Sequence, residues 1–519
     1  MTSDAGAVDR LIRQYGLDKE TLKRFYLYNG YNQYYPRWME LRILVHRFVQ
    51  KHLIANVAAL NDIFEIGAEP QVPLADFQAL VPRARYVTSN IVTRSPESIA
   101  RFDAQQEIIE ATERFDCVIC TEVLEHLREP AKVLLNVRKL LRRGGLLLLT
   151  IPVNFRIHGK DYQRLLPDGL LAMLGELGFT VEELVYGDVV ENEMPVSIRV
   201  AARKIGGPTL LLLGAGMKKD LTTHFLPSYR VLMTDTVPYA AARFVCDKSF
   251  ITRPFADPEY FEELRSIIEN ERVDIVMPVS HFAIPFLRKH RDFLQERGVH
   301  IVLSGEKSLA LAHDKKLLAS HLKKHGFSAP RDYASFGEVA LYPVMIKPAD
   351  GTSSIGVHAV HSPGEGSFYL EKMPGAFLQE YIQGVEYTVD VYCNPDSSPV
   401  AIIPRLRQAV GSGLTTIGKT VRHDKIIDCV RRFCATLDFS GPVCIQVIEN
   451  GNGELFIIDV NPRMGAGTTL SMKAGLDIAA YLKVTVAGGR IDYRQEWVEN
   501  LVMVRYYGDI YYEEKGSGD

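Results

Sequence analysis

A lysine at the end of an apolar segment is followed by a loop of small residues in the sequence YPVMIKPADGTSSIGVHAV. Lys347 ends the apolar run, and the loop extends from Gly351 to Gly356. Glycines allow backbone N–H groups to close around phosphate oxygens, and a lysine places a compact positive charge beside them. The pattern is typical of a nucleotide-phosphate loop, although a flexible hairpin loop has a similar composition.

Three oxygen-bearing side chains belong to a second pattern, GPVCIQVIENGNGELFIIDVNPRMGAG. Its two Asn-Gly pairs at 450–453 predict a tight hairpin between two strands. Side chains alternate between the faces of a strand, so Asp459 and Asn461 share one face, which Gln446 reaches from the partner strand. Such oxygens suit a hard cation that also binds polyphosphate, and Arg463 adds a fork-shaped phosphate donor. The sequence therefore predicts a Mg²⁺ site here, with a polar sheet edge as the alternative.

Alternating strands and helices are predicted to position these side chains. In the first half, the strand-like segments NDIFEIG, ARYVTSN, FDCVICTEVLEHL and RRGGLLLLTIP, with a helix over 130–141, predict a doubly wound parallel sheet. The segments TLLLLGAG, PEYFEELRSIIENE, DIVMPV and HIVLSG predict a smaller open α/β domain. Between the two, KIGGP at 204–208 is expected to be a linker.

These patterns divide the chain of 519 residues into five parts, which fits a length too great for one hydrophobic core. The predicted parts are a helical, aromatic-rich extension over 1–55, an α/β domain over 56–203, a second α/β domain over 208–305, a third region over 306–495 that carries the loop and the hairpin, and a strand with a polar tail over 496–519.

Charge and cysteine content favour small-molecule substrates in a reducing compartment. The formal net charge is -3, from 60 basic and 63 acidic residues without a long block of one sign, so neither a nucleic-acid arm nor a membrane anchor is expected. The first ten residues lack a basic region followed by an apolar run. Seven cysteines do not form a disulfide framework, and Cys117 and Cys120 are expected to be buried. We therefore expect a cytoplasmic protein.

Five motifs in order resemble the ATP-grasp superfamily, in particular the branch with the carbamoyl-phosphate synthetase large chain and pyrrolysine-pathway ligases. They are HDKKLLASHLKKHGFSAP, MIKPADGTSSIGV, FLQEYIQGVEYTVDV, IPRLR and IIDVNPRMGAG, within about residues 208 to 490. The resemblance implies an ATP-grasp fold with its preceding small α/β domain. It also implies an ADP-forming carboxylate–amine ligase that acts through an acyl phosphate.

The resemblance assigns ATP contacts to Lys315 and Lys347, with the loop above the phosphates. Glu380 and the backbone of Tyr381 and Ile382 would hold adenine, and Glu386 the ribose hydroxyls. Gln446, Asp459 and Asn461 fall on the metal-ligand positions, where relatives more often have a glutamate in place of Asp459. The loop positions are Gly351, Thr352, Ser353, Ser354 and Gly356.

Arginines are implied to hold the reacting groups. Arg405, Arg407 and Arg463 are candidates for binding the substrate carboxylate and the transferred phosphoryl group. The GAG at 214–216 is short of a dinucleotide fingerprint and is interpreted as structural or substrate-facing. His281 marks either an altered substrate pocket or an ordinary loop histidine.

Residues 60 to 200 resemble class I S-adenosylmethionine-dependent methyltransferases, through FDCVICTEVLEHLREP, RRGG, LLLLTIP and ELGF. The resemblance implies a Rossmann-like fold. By family position, Glu65 and Gly67 lie at the amino-acid end of the cofactor, Asn90 at the ribose, Asp103 near the adenine and Glu122 beside the cleft. The sequence departs from the family at Glu69, where a glycine is usual, and at Asn90, where an acid is usual.

The leading interpretation is a bifunctional biosynthetic enzyme that joins a carboxylate to an amine with ATP and Mg²⁺ and methylates the same or a related small molecule. Two alternatives remain open. In one, the methyltransferase-like half is an inactive scaffold; in the other, the protein senses nucleotides without turnover. A homodimer is compatible with each of them.

Overall fold

The structure is a computed structural model. It describes residues 13, 36–67, 77–90, 99–101, 113–153, 162–187, 189–190, 194–195, 197–348, 356–411, 413–506 and 508–512. The aromatic cluster of the N-terminal extension, Asp103, the loop residues Gly351, Thr352, Ser353 and Ser354, and the polar tail lie outside the described residues.

Strands and helices alternate through the first half of the chain, as the sequence predicts. The helices are α1 (Pro36–Asn56), α2 (Phe77–Leu80), α3 (Pro130–Leu140) and α4 (Pro167–Glu176). The strands are β1 (Asp62–Ile66), β2 (Arg85–Asn90), β3 (Ile99–Arg101), β4 (Phe115–Thr121), β5 (Leu141–Pro152), β6 (Phe179–Tyr186), β7 (Val189–Val190), β8 (Met194–Pro195) and β9 (Ser197–Lys204).

A seven-stranded sheet with the order β3-β2-β1-β4-β5-β9-β6 organises this half. Strands β1 to β5 run parallel, whereas β9 pairs antiparallel with β5 and β6. Cys117 and Ile119 pack with α1, while Val118 and Leu147 pack with α3 on the opposite face. Burial on both faces explains the continuous apolar runs in β4 and β5. The predicted doubly wound sheet is confirmed.

A second, five-stranded parallel sheet follows directly, with the order β12-β11-β10-β13-β14. The apolar residues of its three central strands are fully buried, because helices cover both faces. The strands are β10 (Thr209–Leu213), β11 (Arg230–Asp235), β12 (Lys248–Ile251), β13 (Ile275–Pro278) and β14 (His300–Ile301). The helices are α5 (Lys219–Thr223), α6 (Tyr260–Glu271), α7 (Ala283–Lys289) and α8 (Arg291–Glu296).

Two antiparallel sheets form the last part of the chain. The smaller has the order β15-β18-β16-β17 and the larger β23-β22-β19-β20-β21-β24. Their strands are β15 (Asp332–Tyr333), β16 (Val344–Pro348), β17 (His358–Val360), β18 (Ala376–Glu380), β19 (Gly384–Cys393), β20 (Pro399–Gly411), β21 (Leu414–Thr420), β22 (Gly441–Asn450), β23 (Leu455–Asn461) and β24 (Val502–Val504). The helices are α9 (Glu306–His313), α10 (Lys315–Lys324), α11 (Pro363–Lys372), α12 (Asp424–Cys434), α13 (Thr468–Ala474) and α14 (Ile478–Val486).

A buried cluster of charges joins the first sheet to the second. Asp247, just before β12, is fully buried between Arg138 of α3 at 2.9 Å and Lys204 of β9 at 2.8 Å. Burial alone would raise the pKa of Asp247, but the charges of Arg138 and Lys204 outweigh it and hold the pKa well below its usual range. Arg138 also donates to the carbonyl groups of Leu177 and Tyr229. One carboxylate of the second half therefore neutralises two cations of the first half.

A second ion network borders this cluster. Glu113, which precedes β4, pairs with Lys204 at 3.0 Å and with Arg230 of β11 at 2.5 Å. Arg230 also forms an ion pair with Glu271 at 2.6 Å, and Glu271 forms another with Lys248. The apolar core is also shared, because residues of both sheets belong to one buried cluster. The two halves are consequently packed as one body.

The connection over 204–208 is therefore not a loose linker. Lys204 is 1 % exposed, and a Cβ at Gly207 would lie 2.2 Å from the carbonyl oxygen of Ser228. The carbonyl oxygen of Gly206 accepts hydrogen bonds from Arg143. The segment does join two sheets, as the sequence suggests, but its glycines serve close packing rather than freedom of movement.

The described helices are all too short or too polar to span a bilayer. All seven cysteines are buried free thiols. This confirms the prediction that Cys117 and Cys120 lie in the core and that cysteine pairing does not hold the chain together.

Replacing Asp247 with asparagine should destabilise both halves together. The change leaves Arg138 and Lys204 buried without their counter-charge, and breaking a buried pair in this way costs about 3 to 5 kcal/mol. Urea unfolding followed by fluorescence would measure the loss. Asp428→Asn is the matched control, because Asp428 pairs with Arg432 on an exposed helix face and such pairs contribute less than about 1 kcal/mol.

The Asp247 contribution also has a defined pH dependence. A carboxyl group whose folded pKa is depressed stabilises the fold above its unfolded pKa of about 3.9, and this stabilisation is lost as the pH falls through the folded pKa. The stability difference between the natural protein and Asp247→Asn should thus persist at pH 5 to 7 and shrink in strong acid. Equal stability of the two proteins at pH 7 would show that Asp247 does not tie the halves together.

Candidate functional site

The predicted hairpin brings the candidate metal ligands onto neighbouring strands. β22 and β23 are antiparallel, and Gln446 is directly opposite Asp459 in their register. The turn is held by the side chain of Asn450, whose Oδ1 accepts the backbone N–H groups of Asn452 and Glu454. The predicted convergence of Gln446 and Asp459 across the ladder is therefore present in the fold.

Asp459, Asn461 and Arg463 form a chain of polar contacts along the end of β23. Asn461 Nδ2 donates to Asp459 Oδ2 at 2.7 Å, and Arg463 Nη2 donates to Asn461 Oδ1 at 3.3 Å. Lys315 Nζ, from the start of α10, lies 4.0 Å from Asp459 Oδ1. Asp459 is thus placed among donors and a cation, with its side chain partly exposed.

The chemistry of this donor set fits a hard cation in part. Gln446, Asp459 and Asn461 offer one carboxylate and two amide oxygens. Within the part of the chain that the structure describes, no group of three or more His, Cys, Asp or Glu side chains is close enough to hold a metal ion. A cation here would need further oxygen ligands from a bound phosphate or from water.

Lys347 faces the same site from the smaller sheet. It is 9 % exposed, pairs with Phe377 across β16 and β18, and has its Nζ 5.7 Å from the centre of the Phe377 ring. Burial, followed by the charge of Lys315, lowers the pKa of Lys347 to about 8, and Asp459 acts in the opposite direction. Lys315, Lys347 and Asp459 therefore interact electrostatically although they come from three different elements.

The predicted adenine segment follows β18. Glu380 Oε2 accepts the backbone N–H of Arg331 at 3.0 Å, and the Glu380 N–H donates to the Arg331 carbonyl group at 2.7 Å. Tyr381 is 41 % exposed and Ile382 is half-buried. Earlier in the chain, at the end of the predicted phosphate loop, Gly356 has a φ of +73°, a backbone conformation that favours glycine.

Arg405 does not reach the open part of the site. It is 1 % exposed, and its Nε donates to Asp390 Oδ2 at 2.6 Å. Thr468 and Ser471 donate to the same carboxylate at 2.8 and 2.5 Å. A Cβ at Gly467 would lie 2.6 Å from Arg405 Nη1. Arg405 is thus a buried support for the segment that follows Arg463. The role implied by the resemblance, a contact with the substrate, does not agree with this position.

Arg407 and Glu386 are paired with each other. Arg407 Nη1 donates to Glu386 Oε1, and Arg407 Nη2 donates to the Gly413 carbonyl group at 3.2 Å. The Arg407 side chain is 7 % exposed and that of Glu386 is 34 % exposed. Glu386 is consequently oriented at the surface of the cleft by a buried arginine.

The first half brings Gly67 and Glu122 to the ends of two adjacent strands, β1 and β4. Gly67 has a φ of +79°, and a Cβ there would lie 2.5 Å from Val123 Cγ2. Glu122 has a φ of +55° and accepts the Thr150 hydroxyl at 2.8 Å. Glu65 is 8 % exposed, and its carboxylate accepts the Tyr86 hydroxyl at 2.7 Å.

Among the cofactor positions predicted for this half, Gly67 and Glu122 meet at the carboxyl edge of the sheet, whereas Glu65 lies buried against Tyr86. Burial raises the pKa of Glu65. Asn90 ends β2, and Asp103 lies outside the described residues.

Sequence reasoning missed two charged residues at strand ends of the second sheet. Lys218 follows the glycine turn after β10, and its Nζ donates to the Val279 carbonyl group at 3.2 Å. Asp235 ends β11. Burial, followed by the charge of Arg463, lowers the pKa of Lys218 to about 8, while Asp235 raises it. The signal in the sequence was the position of Lys218 and Asp235 after two strands of one sheet, but the charge of Arg463, which acts on Lys218, comes from a distant part of the chain.

Three family models match the chain. Residues 312–467 match the ATP-grasp domain, residues 210–302 match the PylC-like N-terminal domain, and residues 82–147 match a methyltransferase domain. The predicted resemblances of the C-terminal part to ATP-grasp ligases and of the N-terminal half to methyltransferases are thereby confirmed.

Curated relatives match the C-terminal part at low identity. The carbamoyl phosphate synthase large chain of Clostridium beijerinckii is 25 % identical over 232 residues, which are 40 % of this chain and 21 % of that protein. The large chain of Clavibacter sepedonicus is 24 % identical over 300 residues, or 51 % of this chain and 27 % of that protein. The chain thus spans about a quarter of the length of these relatives.

Two solved structures match the chain at low sequence identity. The biotin carboxylase of Campylobacter jejuni is 14 % identical, with a TM-score of 0.45 and coverage of 57 % of this chain and 74 % of that chain. The L-amino acid ligase of Bacillus licheniformis is 15 % identical, with a TM-score of 0.42 and coverage of 54 % and 74 %.

A methyl group at Gly467 should disturb the segment that carries Arg463. The added Cβ of Gly467→Ala would meet Arg405 Nη1, which is fixed by Asp390, so the segment or the arginine must shift. Overpacking of this kind costs about 1 to 3 kcal/mol in the free energy of unfolding. Urea denaturation measures it, with Gly451→Ala as the control because nothing lies within 4 Å of a Cβ there. Equal effects of the two changes would contradict this role of Arg405.

Proposed function

We propose that the C-terminal part of the chain is an ADP-forming ligase that activates a carboxylate as an acyl phosphate and transfers it to an amine. The observation that carries this proposal is the approach of Lys347 and Lys315 to Asp459, beside Asn461 and Gln446. Two lysines beside a small set of oxygen ligands suit a polyphosphate that carries a divalent cation. The match to the ATP-grasp domain supports the same reaction class.

In this mechanism, protein side chains position the substrate and ATP and neutralise the charge of the phosphate oxygens. They form no covalent bond with the reactants. A carboxylate oxygen of the substrate attacks the γ-phosphorus of ATP, the bond to the β-phosphate oxygen breaks, and ADP leaves. Lys315, Lys347 and Arg463 would neutralise the equatorial oxygens of the transferred phosphoryl group. Mg²⁺ held by Gln446, Asp459 and Asn461 would add charge neutralisation at the β- and γ-phosphates. The amine then attacks the acyl carbon and phosphate leaves.

Nucleotide selection is proposed to rest on the segment after β18. The Tyr381 and Ile382 backbone follows the strand directly, and Glu380 is fixed by Arg331, so the backbone donors and acceptors are held in place for adenine. Glu386 would accept the ribose hydroxyls. Its pairing with buried Arg407 limits the number of rotamers and lowers the entropy cost of binding.

The N-terminal half is proposed to be an S-adenosylmethionine-dependent methyltransferase that acts on the same or a related small molecule. Support comes from the parallel sheet, from Gly67 and Glu122 at adjacent strand ends, and from the match to the methyltransferase domain. The carboxyl edge of such a sheet is where ligands bind. The burial of Glu65 favours the alternative of a cofactor-free scaffold, because its carboxylate is already bonded to Tyr86.

Asp459→Asn should reduce the ADP release that depends on an added carboxylic acid by about a hundredfold, while the protein remains folded. The change removes one negative charge from the cation site with little change in shape, which corresponds to about 3 kcal/mol of transition-state stabilisation. A coupled assay of ADP with paired acids and amines measures it. Asp492→Asn is the control, because the Asp492 side chain is fully exposed. Undiminished turnover of Asp459→Asn would exclude Asp459 from the metal site.

Calorimetry on the full chain tests the methyltransferase proposal. S-adenosylmethionine should bind with a dissociation constant of tens to hundreds of micromolar, or about -5 to -6 kcal/mol, because Glu69 and Asn90 depart from the family pattern. Asn90→Asp should strengthen binding, since a carboxylate accepts a hydroxyl pair better than an amide does. If neither the natural protein nor Asn90→Asp releases heat with S-adenosylmethionine, the first half would be a scaffold that binds no cofactor.

A further inference from the structure

The last described part of the chain extends from the large antiparallel sheet to the second sheet. It comprises residues 498–506 and 508–512, which we call the C-terminal clasp. Its strand, β24, pairs antiparallel with β21 at the edge of the large sheet. The clasp lies outside residues 312–467, which match the ATP-grasp domain, so that match assigns no role to it.

Thr420, at the end of β21, anchors the start of the clasp. Thr420 is fully buried, its N–H donates to the Leu501 carbonyl group at 3.0 Å, and its carbonyl group accepts the Asn500 N–H at 2.9 Å. Its hydroxyl group donates to the Val498 carbonyl group at 2.8 Å and accepts the Leu501 N–H at 3.0 Å. These hydrogen bonds from one buried residue fix the register of β24 on β21.

One face of β24 contacts the segment that follows Arg463. Side chains alternate along an extended chain, so Met503 and Arg505 share a face, while the valines on the opposite face are exposed. The Thr469 hydroxyl group lies 3.8 Å from Met503 Sδ, and Arg505 Nη2 donates to the Ala466 carbonyl group at 2.8 Å. The clasp therefore contacts both the turn after Arg463 and the start of α13.

Arg505 is placed to hold this turn. Its side chain is half-buried, and its Nε is buried without a hydrogen-bond partner among the described residues, so the contact with Ala466 orients the guanidinium group. A hydrogen bond from a charged donor is stronger than one between neutral groups. On the other side of the turn, a Cβ at Gly467 would lie 2.6 Å from Arg405 Nη1. The backbone at Ala466 and Gly467 is consequently held between two arginines.

The orientation of Arg463 depends on the same backbone. Arg463 Nη1 donates to the Met464 carbonyl group at 2.9 Å, and Arg463 Nη2 donates to Asn461 Oδ1 at 3.3 Å. The next residue, Gly465, donates its N–H to Thr468 Oγ1 at 2.9 Å. A displacement of the turn would thus move the carbonyl group that orients the Arg463 guanidinium group.

The far end of the clasp is attached to the second sheet. The ring centre of Tyr512 lies 5.5 Å from that of Phe244 and 6.2 Å from that of Tyr239, both of which follow β11. Aromatic rings attract each other at such separations. Tyr511, the adjacent residue, is 80 % exposed. The clasp is therefore fixed to the large sheet at one end and to the second sheet at the other.

We propose that the C-terminal clasp positions Arg463 for the transferred phosphoryl group, with Arg505 as the positioning residue. The proposal rests on the ligase function proposed above, in which Arg463 neutralises an equatorial oxygen. Arg505 acts through the Ala466 carbonyl group and touches neither the nucleotide nor the substrate. Such support matters because a misplacement of about 1 Å can reduce the rate of an enzyme about a hundredfold.

The preference for a triphosphate over a diphosphate tests this positioning. Calorimetry on the full chain with Mg²⁺ measures the dissociation constants of ADP and of a non-hydrolysable ATP analogue, and their ratio reports contacts with the terminal phosphate. Arg463→Ala should lower this ratio about tenfold and Arg505→Ala about threefold. The double variant should match Arg463→Ala, because Arg505 acts through Arg463. Arg505→Lys retains a charged donor and should recover part of the loss.

Two matched controls accompany these variants. Arg494→Ala removes an exposed arginine that precedes the clasp, and it should leave the ratio unchanged. Tyr512→Ala detaches the clasp from the second sheet and should lower the ratio, whereas Tyr511→Ala should not. An equal effect of Tyr511→Ala and Tyr512→Ala would contradict the attachment to the second sheet.

Hydrogen–deuterium exchange of the full chain without nucleotide gives a second readout. Arg505→Ala should accelerate exchange of the backbone amides over 464–470, and Arg494→Ala should not. Unchanged exchange in Arg505→Ala would overturn the proposal whether or not a nucleotide binds.

The outcomes separate the two proposals. If the natural protein binds neither nucleotide, the ligase function fails, while exchange still decides whether Arg505 holds the turn. If the analogue binds but Arg505→Ala retains the full preference for the triphosphate, the role of the clasp is overturned and the ligase function is not. Additive effects of Arg505→Ala and Arg463→Ala would also overturn it, because Arg505 would then act independently of Arg463.

Discussion

A single buried carboxylate, Asp247, holds the two halves of the chain in one arrangement. Its negative charge compensates Arg138 and Lys204, which are themselves fully buried, so none of the three tolerates the loss of the others. The shared apolar core reinforces the arrangement but is less selective, since apolar contacts are not directional. The second sheet is therefore held in a fixed position against the seven-stranded sheet.

Local patterns explain how far the sequence predicted the fold. The Asn-Gly turn sets the register of β22 and β23, and the register places Gln446 opposite Asp459, so the arrangement of these two side chains followed from residues close in the chain. The apolar runs of β4, β5 and β10 likewise predicted parallel strands covered on both faces. Such patterns reflect the regular alternation of side-chain direction along a strand, which can be read from the order of apolar and polar residues.

Long-range charge pairing explains what the sequence did not predict. Arg405 is two residues from Arg407, and the sequence suggests the same substrate-binding role for both. Arg405 is buried instead, because it pairs with Asp390 on the neighbouring strand. KIGGP has the composition of a linker, but ion pairs of Lys204 with residues far apart in the chain make it rigid. In both cases the deciding partner lies at least 15 residues away in the chain.

The seven buried thiols report local opening in several regions of the fold. Cys117 and Cys120 lie in β4, Cys246 precedes β12, Cys393 and Cys444 lie in the large antiparallel sheet, and Cys429 and Cys434 lie on α12. Burial raises the pKa of Cys117 and Cys120 far above that of an exposed thiol, so the folded state presents almost no thiolate to an alkylating reagent. Alkylation mapped by mass spectrometry would consequently record the order in which the sheets come apart.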